Sequence, residues 1–166
     1  MPRFFLYFCF MVNLMNTKLG ELLNRTRTIG FASIWQKVFS DDKLKRQIIL
    51  WIQNDQLQKG IDEDGDILGL YSDFTEFINP EKIAGTPYTL KDTGDFYNSM
   101  FITVYADSFV VDADAIKVDD SGEQTDLFEK FGDGIVGLTK ENKQKLADEI
   151  KKRFQIETSK ILHGNR

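Results

Sequence analysis

Residues 101–118 read FITVYADSFVVDADAIKV, and this stretch decides the fold. Phe, Ile, Val, Thr and Tyr crowd its first eleven positions, a composition that fits a pleated, half-buried surface. Ala106, Asp107 and Ser108 interrupt it with short polar residues and mark a tight reversal. The segment is therefore expected to form the core of a small antiparallel sheet.

Just upstream stands TLKDTGDFYNSM, residues 89–100. Asp92 or Thr93 is placed to cap a short helix carrying Phe96, Tyr97 and Met100. Downstream, residues 124–131 read as a short amphipathic helix, which Gly132 and Gly134 break. Thr139 then caps a last helix running from Lys140 toward Leu162. Its expected buried stripe is Leu146, Ala147, Ile150, Phe154 and Ile161. Ile156 lies off the stripe, and Lys140, Lys143, Lys145, Lys151 and Lys152 form a solvated opposite face.

The amino-terminal third is helical in pattern. Leu19, Leu22, Leu23 and Thr26 share a face, and after Gly30 the period resumes through Phe31, Ile34, Trp35, Val38 and Phe39. Ser40, Asp41 and Asp42 give a capping signal, and Leu44, Ile48, Trp51 and Ile52 follow at helical spacing until Gly60. Ile49 and Leu50 widen that apolar surface, so this helix is expected to be largely buried. Residues 60–72 suggest a hairpin around Asp64 and Gly65. Residues 74–88, with Pro80, Gly85 and Pro87 and no clear period, read as a long loop of the kind that serves interfaces.

Together these elements predict an α+β fold, a small antiparallel β-sheet flanked by N-terminal and C-terminal α-helices. The organisation is an apolar leader or arm at 1–15, one domain at 16–162 and a tail at 163–166. At 166 residues the chain is long enough to bury a real core.

Composition narrows the function. A formal net charge of −5 opposes a main task of wrapping nucleic acid, which needs concentrated Lys and Arg. Cys9 is the only cysteine, so no intrachain disulfide, CxxC pair or cysteine zinc cluster forms, and a reducing compartment fits best. The opening MPRFFLYFCFMVNLM has one Arg, no small-residue cleavage site and an apolar run too short to span a bilayer. It is expected to pack against a neighbouring subunit or to reflect a start at Met11 or Met15.

The chemistry-bearing patterns are weak. Asp62, Asp64 and Asp66 alternate around a glycine as calcium ligands do. With Gly65 at the sixth loop position, however, Gly60 and Tyr71 would fall where carboxylates are required. A hairpin tip explains them. Asp92, Thr93 and Gly94 match an aspartic-protease triplet only superficially, because a capped helix follows at once. His163, the only histidine, sits at a chain end that offers no ordered base for a catalytic triad. Gly132, Gly134 and Gly137 follow no strand as a phosphate-binding turn would. Lys91 and Tyr97 beside the Phe-rich strands have the elements of a base-stacking platform, which Asp107, Asp112, Asp114, Asp119 and Asp120 oppose.

Two segments carry a resemblance. In TLKDTGDFYNSMFITVYADSFVV, Leu90, Thr93, Gly94, Phe96 and Ser99 stand in a Leu, Thr-Gly, Leu, Ser pattern, with Phe96 in place of the more usual leucine. In KFGDGIVGLTKENKQKLADEIKKRF, Phe131 and Gly132 form an aromatic-glycine step, and Gly137, Leu138 and Thr139 lead into the closing helix. The chain resembles the virion-morphogenesis, or tail-completion, family of tailed phages over residues 53–154. An arginine that many members carry before the last helix is absent. QLQKGIDEDGDILGLYS is similar to versions from phages of Bacteroidota.

The resemblance implies a structural virion protein with no catalysis, no catalytic or metal-ligating residue and no cofactor. It would form a homo-oligomeric ring in the neck or tail, between portal and tail proteins, assembled in the host cytoplasm and without a membrane. DNA would pass through its lumen without sequence-specific binding. A ring repeats one heterologous contact, so two complementary patches are needed. They are expected on the 74–88 loop, through Phe77 and Ile78, and on the 131–138 segment, through Ile135 and Val136. The alternatives are a monomeric phage or host adaptor module and, from a different class, a metal-dependent hydrolase built on Asp62, Asp64 and Asp66.

Overall fold

A computed structural model describes residues 30–105, 108–118 and 122–163, together with Lys18 and Glu21, which are helical. The 1–15 leader, nearly all of the helical pattern expected at 17–29, Ala106 and Asp107 of the expected reversal, Asp119, Asp120 and residues 164–166 lie outside the described residues. Elements are numbered below among the described ones.

Helix α1 (Phe31–Phe39) buries Ile34, Val38 and Phe39, the face its period predicts. Helix α2 (Asp42–Leu50) starts at Asp41, whose carboxylate accepts the Lys43 N–H at 2.9 Å. That backbone bond, with the Arg153 guanidinium beside it, holds the Asp41 carboxyl below its usual range. Leu44, Ile48, Ile52 and Gln56 are all buried, at a strict four-residue spacing. An α-helix would rotate such a stripe by about 40° at each step. The chain instead widens into a π-helical turn at Trp51–Gln56, which keeps Ile52 and Gln56 on the core side. Leu50, expected inside, is exposed, because that stripe sets the buried face of the helix and Leu50 lies off it. A 3-10 turn (Leu57–Lys59) ends at Gly60, which has φ +69°.

The hairpin around Asp64 and Gly65 is present, with Ile61 bridging Ile67. The expected loop at 74–88 differs: it begins as helix α3 (Asp73–Ile78), where Ser72 caps by accepting the Thr75 N–H at 3.2 Å. Helix α4 (Asp95–Ser99) is capped neither by Asp92 nor by Thr93. Its N-cap is Gly94 at φ +95°, while the Thr93 hydroxyl donates to the Asp95 carboxylate at 2.6 Å.

Strand β1 (Phe101–Val104) pairs antiparallel with β2 (Phe109–Asp112), Phe101 opposite Asp112 and Val104 opposite Phe109. Strand β3 (Ile116–Val118) does not join them. It pairs with β4 (Gln124–Asp126) in a second two-stranded sheet. Between the sheets, Asp114 donates its N–H to the Ser99 hydroxyl and accepts the Ile116 N–H on its own carboxylate. Those side-chain bonds divert the backbone from one continuous ladder. Residues 124–126 are accordingly strand, where helix is expected. Helix α5 (Leu127–Phe131) begins only after Asp126, which caps it by accepting the Phe128 and Glu129 N–H groups.

A 3-10 turn (Asp133–Val136) leads to helix α6 (Lys140–His163), and the Thr139 hydroxyl accepts the Asn142 N–H at its start. Leu146 is buried and Ile150 and Phe154 are half-buried, as the stripe predicts. Ala147 and Ile161 are exposed, since the core side of helix α6 narrows to Leu146, Ile150, Arg153 and Glu157. Arg153 binds Asp41, and Glu157 binds Lys37 of α1. The molecule is thus α+β, with helices flanking two small antiparallel sheets. Among the described residues no helix is long and apolar enough to cross a membrane.

Candidate functional site

Residues 60–88 form a lobe that closes on itself. The Tyr71 and Tyr88 N–H groups donate to the Thr86 and Gly69 carbonyls at 2.9 Å each, and the Gly85 N–H donates to the Tyr71 carbonyl at 2.8 Å. This short ladder holds the residues between, including α3, as one projection. The Glu76 carboxylate accepts the Ala84 N–H at 2.8 Å and fastens the tip. Tyr88 stacks edge-on against Tyr71 at 4.9 Å and against Phe131 at 6.0 Å, which seats the lobe on the body.

Close backbone approach makes two glycines necessary. A Cβ on Gly60 would overlap Pro87 and lie 2.7 Å from the Tyr88 carbonyl, and one on Gly69 would lie 2.5 Å from the Tyr88 ring. Gly60→Ala is expected to destabilise the protein by about 2 kcal/mol, from left-handed strain plus the overlap. Chemical denaturation measures the loss, and a change under about 0.5 kcal/mol would contradict this packing.

The outer surface of the lobe is apolar. Phe77 is 84%, Phe74 71% and Ile78 67% exposed, and Ile67, Leu70 and Ile83 are each more than half exposed. Phe74, Phe77 and Ile78 stand at i, i+3 and i+4 of α3 and so share one exposed apolar helix face. Phe77 and Ile78 are therefore displayed as the sequence suggests.

Ile135 and Val136 are not. They are 0% and 8% exposed, so the 131–138 segment supplies core and not a contact patch. Two of the glycines that make it look like a surface loop, Gly134 and Gly137, pack against the 60–66 hairpin. The Gly134 carbonyl accepts the Glu63 N–H at 3.0 Å, and a Cβ on Gly137 would lie 2.7 Å from the Glu63 Cβ.

Behind that segment is a buried polar knot that sequence reasoning misses. Gln56, 0% exposed, donates through Nε2 to the Gly137 carbonyl at 2.9 Å. Its Oε1 accepts the Thr139 N–H at 3.0 Å and the Asn142 amide at 2.8 Å. Asn142 also donates to the Trp51 carbonyl at 3.4 Å, and its oxygen accepts from Lys145 at 2.9 Å. The π-turn is thereby joined to the start of α6. The signal in the sequence is Gln56 itself, a polar residue at the next step of an apolar stripe.

The remaining motif residues hold the frame. Phe96, Leu138 and Thr139 are buried. Ser99 links α4 to the inter-sheet segment by donating to the Phe96 carbonyl and accepting from Asp114. Gly132 and Gly94 have positive φ, and Leu90, at φ +52°, is the non-glycine residue in that region among the described ones. Tyr97 donates to the Thr89 carbonyl at 2.6 Å, and burial pushes its phenol up.

Asp62 uses its carboxylate on its own turn, where Oδ1 accepts the Asp64 and Asp66 N–H groups at 2.9 Å. Among the described residues no three His, Cys, Asp or Glu side chains are grouped to hold a metal ion. Asp92 binds Lys117 of β3 and Lys82 of the lobe. Those two ammonium hydrogen bonds, Lys117 first, hold its carboxyl down at about 2. A depressed carboxyl stabilises the fold above its ordinary value near 4 and loses that contribution as pH falls toward 2. The site is over one-third open to solvent, so the contribution is below about 1 kcal/mol. Asp92→Asn is expected to flatten the loss of stability between about pH 4 and pH 2 in acid titration of the melting temperature. An unchanged slope would contradict the bridge.

Compared with protein-family models, with curated proteins and with solved structures, the chain finds no match in any of the three.

Proposed function

We propose that this chain is a structural subunit of a tailed-phage virion, forming a ring at the neck or tail-completion joint between portal and tail. The observation that carries self-assembly is the lobe. Its large apolar surface is held out from the body on a self-closed ladder, an arrangement that serves contact with another protein. The phage assignment is supported by the resemblance at residues 90–99 and 131–139. The residues of that pattern are backbone and core positions that define a fold, as suits a family whose members share architecture. The net charge of −5 suits a lumen that DNA traverses without being held.

Two measurements test this. Native mass spectrometry and electron microscopy of the purified chain are expected to give a closed ring with a central opening. Antibodies to the chain are expected to label the junction of head and tail on phage particles. Labelling of the capsid shell, or of no virion component, overturns the assignment.

A further inference from the structure

With Ile135 and Val136 in the core, the lobe needs a complementary surface elsewhere, and charge shows where. Residues 61–81 carry seven acidic side chains and no basic one. Two lobes facing each other would bring like charges together, which opposes a symmetric lobe-to-lobe dimer. Helix α6 has the opposite bias, with seven Lys and Arg against four Asp and Glu in a chain that is acidic as a whole. Among the described residues, the side of α6 away from the core carries a shallow groove of about 590 Å³ lined by Lys152, Gln155, Ile156, Ser159 and Lys160. Ile156 is 54% exposed there, an apolar residue with Lys152 and Lys160 on the same groove. Lys151 and Lys152 are exposed and have no ion-pair partner among the described residues.

We infer that the lobe of one copy docks on the outer face of α6 of a second copy, with Phe74, Phe77 and Ile78 over Ile156 and with Asp73 and Glu81 facing Lys151 and Lys152. The contact joins two different surfaces, so each growing assembly keeps one lobe and one α6 face open for the next copy, until it closes. This rests on the self-assembly reading above and supplies the second patch that reading requires.

Charge-swap pairs test it, read by sedimentation velocity of the whole chain at low salt. Asp73 and Glu81 are exposed and make no side-chain ion pair among the described residues, so reversing them is expected to spare the fold, which circular dichroism and melting verify. Asp73→Lys with Glu81→Lys is expected to weaken self-association at least about tenfold, as is Lys151→Glu with Lys152→Glu. Mixing the two variants, or combining all four changes in one chain, is expected to restore assembly. Raising salt is expected to weaken the wild-type contact and not abolish it, because the apolar centre is unscreened.

A wild-type oligomer that tolerates both reversals, or that no charge swap restores, overturns the inference and leaves a ring built on other surfaces standing. A wild-type chain that remains monomeric at every concentration overturns the inference as well, and assigns the lobe to a different protein. Absent labelling of virions sinks the phage reading without touching the docking of lobe on helix.

Discussion

Gln56→Ala is expected to lower the stability of the protein by about 3 kcal/mol, or roughly 9 °C in melting temperature for a chain of this size. The methylene groups lost matter less than what remains. Gln56 is 0% exposed and serves the Gly137 carbonyl, the Thr139 N–H and the Asn142 amide at once. Its truncation leaves three polar groups in a space from which water is excluded, and each unsatisfied group costs about 1 to 3 kcal/mol. Relaxation and entry of a water recover part of the total. A double-mutant cycle with Asn142→Ala is expected to show coupling of about 1 kcal/mol or more, as members of one network do. Additive losses would mean that the knot is two separate contacts. Urea denaturation of the four proteins decides between them.

The second large effect is Ile135→Ala, expected to destabilise by about 3 kcal/mol through lost burial and a residual cavity. Phe77→Ala, at the other kind of apolar position, is expected to leave the melting temperature within about 2 °C while weakening association. The pair separates core from contact surface. Equal losses of stability would contradict the burial of one or the display of the other, and unchanged association by Phe77→Ala would remove that residue from the interface.

Much of the architecture is legible in the sequence where a cap and a period agree. Asp41 followed by Leu44 and Ile48, and Thr139 followed by Leu146 and Ile150, each combine a side-chain acceptor with a buried stripe, and both helices form there. Helix α3 is too short for a period to emerge, and Ser72 alone signals it. The π-turn is hidden because four-residue spacing passes for an ordinary helix until its drift is followed over several turns. The split into two sheets depends on Ser99 and Asp114, fifteen residues apart, whose hydrogen bond no local pattern reveals.

At the candidate site, Phe77 and Ile78 are readable as exposed because they sit in a stretch interrupted by Pro80, Gly85 and Pro87 with no sustained amphipathic repeat. Ile135 and Val136 mislead because Gly132, Gly134 and Gly137 resemble surface punctuation. Gly137 instead allows Glu63 to approach closely, and Gly134 lies in contact with Asp62 and Glu63. The basic outer face of α6 is legible from the first as a lysine-rich side. What sequence alone lacks is the ladder that gathers the acidic residues of 61–81 onto one lobe.

The knot at Gln56 also sets an order of events during synthesis. Its partners at Gly137, Thr139 and Asn142 lie more than eighty residues further along the chain, so the core around the π-turn stays unfinished until α6 has left the ribosome. The ladder of the lobe needs only residues 68–71 and 85–88 and closes well before. On a polysome, then, sticky lobes stand side by side on nascent chains that have no finished body. The seven carboxylates of residues 61–81 repel one another across such lobes, a gatekeeping role for charge that acts before the folded protein does.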